Sequence, residues 1–168
     1  MIIWLIGMSG SGKTTIGKQL YLKIKKKHPN TVFLDGDHIR SIMGNDLGHT
    51  IEDRRRNAER ISRLCYFLDR EGIHVVTAIL SIFHEWQDWN RSNFSKYFEV
   101  YLNVSMETLV KRDPKGLYKK AKKGEIENFV GFDIPFPPPK SPDMLVENDI
   151  ETQDFQTIVD SILEQTSL

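Results

Sequence analysis

The amino-acid sequence predicts an α/β fold: a parallel five-stranded sheet with helices on both faces and a mobile lid. Three observations predict it. Five short apolar runs are separated by segments with helical spacing. The stronger runs are apolar without alternation, as in strands buried on both faces. A glycine-rich turn lies between the first run and the first helix.

Ile2 to Ile6 is the first strand, ended by Gly7. After the turn, Ile16, Leu20 and Ile24 recur at helical spacing, with Lys18 and Lys23 to Lys27 facing away, and His28-Pro29-Asn30 stops the helix. Thr31 to Leu34 is a second strand, running into Asp35-Gly36-Asp37. A long helix is expected from about Asp53 to Arg70, with Ile61, Leu64, Cys65 and Leu68 on one face and Gly72 closing it. Ile73 to Leu80 and Tyr97 to Val104 are the third and fourth strands, and Met144 to Val146 is a weaker fifth. Phe155 to Leu163 supplies a closing helix. The stretch 113–142, rich in lysine and glycine and then in proline, has no clean period, which marks a long loop of functional kind. With 168 residues and 39% hydrophobic content, the chain is expected to form one domain over residues 1–168.

Gly7-Met8-Ser9-Gly10-Ser11-Gly12-Lys13-Thr14 fits the pattern G-x-x-x-x-G-K-[ST] of a phosphate-binding loop (P-loop), in the strand-turn-helix setting that motif requires. Backbone N–H groups of such a loop converge on phosphate oxygens, and the helix that follows presents its positive end. Gly7, Ser9, Gly10, Ser11, Gly12, Lys13, Thr14 and Thr15 are therefore expected to bind ATP, with Lys13 on the β- and γ-phosphates. The Thr14 hydroxyl is the first expected ligand of Mg2+. No N-K-x-D segment follows, which argues against a GTPase, and the third strand ends in Ser81 rather than the carboxylate of a motor or transport ATPase. The acidic residues come instead after the second strand, at the sheet edge where ligands of open α/β folds bind. A carboxylate there, Asp37, suits a small-molecule kinase: it can orient or deprotonate an attacking hydroxyl and help hold Mg2+.

Three further segments resemble the adenylyl-sulfate kinase family of P-loop kinases. Leu34-Asp35-Gly36-Asp37-His38-Ile39-Arg40 is similar to its L-D-G-D-x-x-R, and Asp53-Arg54-Arg55-Arg56-Asn57 to its D-R-x-x-N. Arg112-Asp113-Pro114-Lys115-Gly116-Leu117-Tyr118-Lys119-Lys120-Ala121, continuing through Gly124-Glu125-Ile126 to Phe129-Val130-Gly131, resembles its mobile lid. The resemblance runs from about residue 2 to 165. It implies transfer of the γ-phosphate of ATP to the 3′-hydroxyl of a nucleotide activated at its 5′ end. Asp37 would act on that hydroxyl, while Arg40, Arg54 and Asn57 hold the acceptor's 5′ groups. Ile79, Leu80, Ser81, His49, Lys120 and Phe129 complete the implied acceptor site, and Arg112 belongs to the ATP side. Lys115 and Lys119 would close over the transferring phosphoryl group with Lys13. Homodimers are also implied.

Departures from the family pattern gather on the acceptor side. His49 stands where the family has a phenylalanine that clasps the acceptor base with the residue matched by Phe129. Ile82-Phe83-His84 replaces P-Y-R, and Glu59-Arg60 replaces an R-R pair. These changes resemble a divergent branch, kinases of capsule-polysaccharide gene clusters acting on cytidine diphosphoramidate, which makes that nucleotide the favoured acceptor. Adenylyl sulfate is the alternative. A nucleotide-binding module with weakened catalysis is a second, and a nucleoside monophosphate kinase a third.

Lysine plus arginine and aspartate plus glutamate are 23 each, a balance that argues against a general nucleic-acid coat protein. Cys65 is the single cysteine, so neither a disulfide framework nor a zinc knuckle is available, and it is expected in the core. The apolar start is too short to span a bilayer and carries no basic flank, so a cytoplasmic protein without membrane partners is expected. His28, His38 and His74 have no metal-ligand spacing, and Trp86 and Trp89 are expected to pack against the neighbouring helix.

Overall fold

A computed structural model describes residues 1–149 and 154–168 of the chain. Among these, β1 (Ile2–Ile6), β2 (Thr31–Asp35), β3 (His74–Ile79), β4 (Tyr97–Asn103) and β5 (Met144–Glu147) form one sheet in the order β2-β3-β1-β4-β5. All neighbours are parallel, with Ile2 opposite Val75 on one side and Tyr97 on the other. Strand order reverses beside β1, and the C-terminal edge at such a point is a ligand crevice.

The helices are α1 (Lys13–Lys27), α2 (Gly36–Ile42), α3 (Ile51–Arg70), α4 (His84–Asn93), α5 (Met106–Arg112), α6 (Leu117–Lys122) and α7 (Phe155–Thr166). Alternate residues of β1 feed two cores. Ile3 and Leu5 pack with Ile16, Leu20 and Ile24 of α1 and Ile158, Val159 and Ile162 of α7. Ile2, Trp4 and Ile6 pack on the other face with Ile39, Ile61, Cys65 and Phe94. Every β1 side chain is buried, which explains a run without polar alternation.

The long helix begins at Ile51, two residues before the expected start. Thr50 is its cap, accepting from the Asp53 amide at 3.2 Å. α2, α5 and α6 lie where no helix was expected; at 6 or 7 residues each, they are too short to display a period. α6 stands inside the stretch expected to be a loop, capped by Asp113, whose carboxylate accepts the amides of Tyr118 and Lys119 at 3.1 and 3.0 Å. Among the described residues, no helix is long and apolar enough to cross a membrane.

Trp86 and Trp89 do pack against α3: Tyr66 meets Trp89 edge-on at 5.8 Å, and the Arg63 guanidinium lies 5.9 Å from both indole rings. Cys65 is buried, and burial raises its thiol pKa far above the ordinary value, leaving it an inert core group.

Candidate active site

The loop between β1 and α1 is held open by close backbone approaches. A side chain at Gly7 would come within 2.8 Å of the Leu102 carbonyl oxygen. Gly12 has φ +94°, a conformation that favours glycine, and a Cβ there would lie 3.0 Å from Asn148 Nδ2. Buried Asn148 supports the loop from beneath, donating to the Ser11 carbonyl at 2.9 Å. Lys13 curls back over it, its Nζ donating to the Met8 carbonyl at 2.7 Å. Burial lowers the Lys13 ammonium pKa to about 8, against the opposing pull of Asp35. An incoming phosphate would supply the negative charge this site lacks.

The two carboxylates after β2 take separate positions. Asp35 Oδ2 accepts the Thr14 hydroxyl at 2.8 Å, while Oδ1 accepts the Asp37 amide at 3.0 Å and so caps α2. Asp37, two residues further on, pairs with Lys115 of the lid segment at 2.6 Å. Burial works against ionisation of Asp37, but Lys115, His49 and Arg40 outweigh it and hold its pKa below the ordinary carboxylate range. The carboxylate in contact with Thr14 is thus Asp35, whereas the sequence names Asp37 beside Thr14 as an expected Mg2+ ligand. One hydroxyl and one carboxylate, with phosphate oxygens and water completing the shell, are the sparse oxygen set that suits Mg2+.

These groups line a cavity of about 1170 Å³. At its other end Arg40 donates to the carbonyls of Leu47 and Gly48 at 3.2 and 2.7 Å, fixing the loop before α3. Arg54 bonds the His49 carbonyl at 2.9 Å and the Asn128 carbonyl at 2.8 Å, joining that loop to the segment carrying Phe129. His49 therefore sits in a basic corner. Partial burial, then Arg54 and Arg40, lower its pKa and favour the neutral ring. Asn57 is buried against the same end, with its Oδ1 unpartnered. Phe129 borders the cavity with one ring edge under Tyr118, at 5.0 Å between centroids, and Tyr118 in turn donates its hydroxyl to the Ser9 carbonyl at 2.8 Å.

Of the expected residues, Ser9, Gly10, Gly12, Lys13, Thr14, Thr15, Asp37 and Arg40 line this cavity, as do His49, Arg54, Asn57, Ile79, Leu80, Arg112, Lys115 and Phe129. Gly7 and Ser11 lie beneath the loop surface, and Lys119 and Lys120 project from α6 into solvent, away from the cavity. Ser81 is buried at the exit of β3 with φ +53°; its Oγ receives the Trp4 indole N–H at 3.2 Å, and Gln87 holds its carbonyl at 2.8 Å. It is outside the cavity lining, as is His84. The sequence reading passed over Asp35, Lys18, Phe33, Ile126, Val130 and Phe155, which do line the cavity. Asp35 carried a signal as the first acid of the D-G-D segment, and Ile126 and Val130 stand within the lid segment, but Lys18, Phe33 and Phe155 carried none.

The adenylylsulphate kinase family profile matches residues 1–147. A cytidine diphosphoramidate kinase from Campylobacter jejuni is 43% identical over 150 residues, covering 88% of this chain and 85% of the relative. An adenylyl-sulfate kinase from Clostridium acetobutylicum is 40% identical over 164 residues, covering 97% and 81%. Among solved structures, the APS kinase CysC of Mycobacterium tuberculosis in complex with AMPPNP and APS superposes with a TM-score of 0.87 at 29% identity, over 99% of this chain and 97% of that one. The phosphate loop, the paired carboxylates and the cavity thus occur in a chain that belongs to the adenylylsulphate kinase family, phosphotransferases with an alcohol group as acceptor.

Proposed function

We propose that this kinase transfers the γ-phosphate of ATP to the ribose 3′-hydroxyl of a 5′-activated nucleotide, with cytidine diphosphoramidate, a capsule phosphoramidate intermediate, as the favoured acceptor. The observation that carries the choice of acceptor is His49, a small polar ring in the basic corner formed by Arg40 and Arg54, lining the same cavity as Phe129. A clasp of one small and one large ring offers less stacking area than two phenyl rings and adds a hydrogen-bonding nitrogen, which suits a pyrimidine. Identity of 43% to a protein named for that acceptor points the same way. Adenylyl sulfate is the second reading, favoured by the fold's match to an APS-bound kinase and by the presence of Arg40, Arg54, Asn57 and Phe129 around the cavity.

The proposed chemistry is a direct in-line transfer. Thr14 and Asp35 would hold Mg2+, which would supply charge neutralisation to the phosphates of ATP. Lys13 offsets charge on the transferring group, and Asp37 orients the ribose hydroxyl and takes its proton. For that, Lys115 must leave Asp37. Both side chains are more than half exposed, at 59% and 69%, so the pair contributes only about 0–1 kcal/mol. A γ-phosphate arriving beside Lys13 is a stronger attractor for the same ammonium. ATP binding would therefore free the carboxylate as it recruits the lysine. Ser81 has no part in the transfer, since its hydroxyl is held by Trp4 away from the cavity.

Incubation with Mg-ATP and each acceptor, following ADP release and phosphorus NMR of the product, tests the proposal. The expected result is a new ribose 3′-phosphomonoester, formed with higher kcat/KM on cytidine diphosphoramidate. Higher kcat/KM on adenylyl sulfate would move the assignment to the second reading. ADP release stimulated by neither acceptor would end both.

A further inference from the structure

His84 stands in a segment that departs from the family pattern, and the structure gives it a partner outside the cavity lining. We infer that His84 is a positioning residue: it anchors the proline run 137–139 on α4 and thereby sets the turn that carries Phe129. Pro137, Pro138 and Pro139 have no N–H to donate, so the run can hydrogen-bond its surroundings only through carbonyl oxygens that need an outside donor. His84 Nε2 lies 2.8 Å from the Pro138 oxygen. A carbonyl only accepts, so Nε2 carries the proton. The anchoring face continues along α4. Asp88, one turn on, lies 3.8 Å from Lys140, an exposed and weakly held pair. Arg91 meets both Asp143 oxygens at 3.1 Å and the Ser141 carbonyl at 3.0 Å. Arg91 thus fixes the end of the strap next to β5, and His84 fixes the end next to the lid segment.

The strap is tied to the acceptor end by packing. Phe136 stacks on Tyr101 at 6.0 Å and 26°, and packs with Ile82, Phe83, Val130 and Ile134 in one apolar cluster. Residues 128–134 form a closed turn: the Asp133 carboxylate accepts the amides of Asn128 and Phe129, and Gly131 donates to the Ile134 carbonyl at 2.8 Å. Such a turn moves as a unit. A proline run is stiff, so one hydrogen bond at Pro138 restrains its whole length and the Phe136 end that touches the turn. Without that bond, Arg91 still holds Ser141 and Asp143, but among the described residues the strap between Phe136 and Lys140 keeps only the exposed Asp88–Lys140 pair as a polar tie to α4.

The kinetic half of the test rests on the kinase reading above; the exchange half does not. Amide hydrogen exchange of the full chain, with and without a non-hydrolysable ATP analogue, is compared for wild type, His84→Ala, His84→Asn and His84→Gln. Faster exchange at residues 128–136 is expected in the Ala and Asn variants, with near-normal exchange in Gln, whose longer side chain carries an amide donor to the same place. Loss of one hydrogen bond corresponds to an acceptor KM raised about three- to tenfold, with the KM for ATP unchanged and Gln restoring the acceptor KM. Unchanged exchange in His84→Ala, no rescue by Gln, or equal rises in both KM values would overturn the inference. If neither nucleotide is turned over, the acceptor assignment fails and the exchange pattern alone decides the role of His84.

Discussion

Lys13 offers a measurement in which a single buried charge should control substrate capture. Its ammonium is driven down to about 8, chiefly by burial. Phosphate capture needs the charged form. Between pH 7 and pH 9 the charged fraction falls from about ten-elevenths to one-eleventh, so kcat/KM for ATP should drop roughly tenfold. The assay is initial-rate kinetics from pH 6.5 to 9.5 at saturating acceptor. kcat should stay level over the same range, because bound phosphates restore the charge and raise the lysine pKa. Stability should move the opposite way. The folded-state pKa lies below the ordinary lysine value, so between about 8 and 10.5 the unfolded chain holds the extra proton and the folded state gains stability with rising pH. Lys13→Arg, with a guanidinium that stays charged, should lose the alkaline limb whatever its absolute rate. A limb near pH 8 that survives this substitution, or a level kcat/KM to pH 9.5 in wild type, would refute the assignment.

Other substitutions separate the remaining roles. Asp35→Asn should raise the Mg2+ concentration for half-maximal rate about tenfold or more and leave the acceptor KM unchanged, read by metal titration. Asp37→Asn should lower kcat by about 10²–10⁴ with little change in the KM for ATP; a kcat within threefold of wild type would remove Asp37 as the base. His49→Phe should shift the ratio of kcat/KM values toward adenylyl sulfate by about tenfold, the scale of one stacking contact, in a competition assay. Ser81→Ala should cost about 1 kcal/mol in denaturant unfolding and leave kcat within about threefold, since its hydroxyl serves Trp4.

What the sequence reveals and what it hides divide along chain separation. The strand, glycine loop and first helix are contiguous, and each residue's role follows from neighbours within about one helical turn. The family resemblance implies an acceptor role for Ser81, but its environment is set by Trp4, 77 positions away, and by Gln87. Lys119 and Lys120 looked equivalent to Lys115 as lid charges. The cap at Asp113 and the buried Tyr118 fix the rotation of α6, which sends Lys119 and Lys120 outward, while Lys115, before the helix, reaches Asp37.

The separate partners of Asp35 and Asp37 show how a two-residue step redirects a carboxylate. Asp35 ends β2 and caps α2, so its two oxygens are already committed, one to the Asp37 amide and one to the Thr14 hydroxyl. A residue so held can present only the face toward the phosphate loop. Asp37 has entered the helix, where a 100° advance per residue turns its side chain across the cavity toward Lys115 and His49. Had β2 run on for two more residues, its twofold alternation would have put both carboxylates on the same side and in mutual repulsion. The change from strand to helix falls at Gly36, where a Cβ would meet nothing nearer than the Ala78 carbonyl at 4.0 Å. On the proposed mechanism, where the strand stops is what would give metal holding to Asp35 and proton acceptance to Asp37.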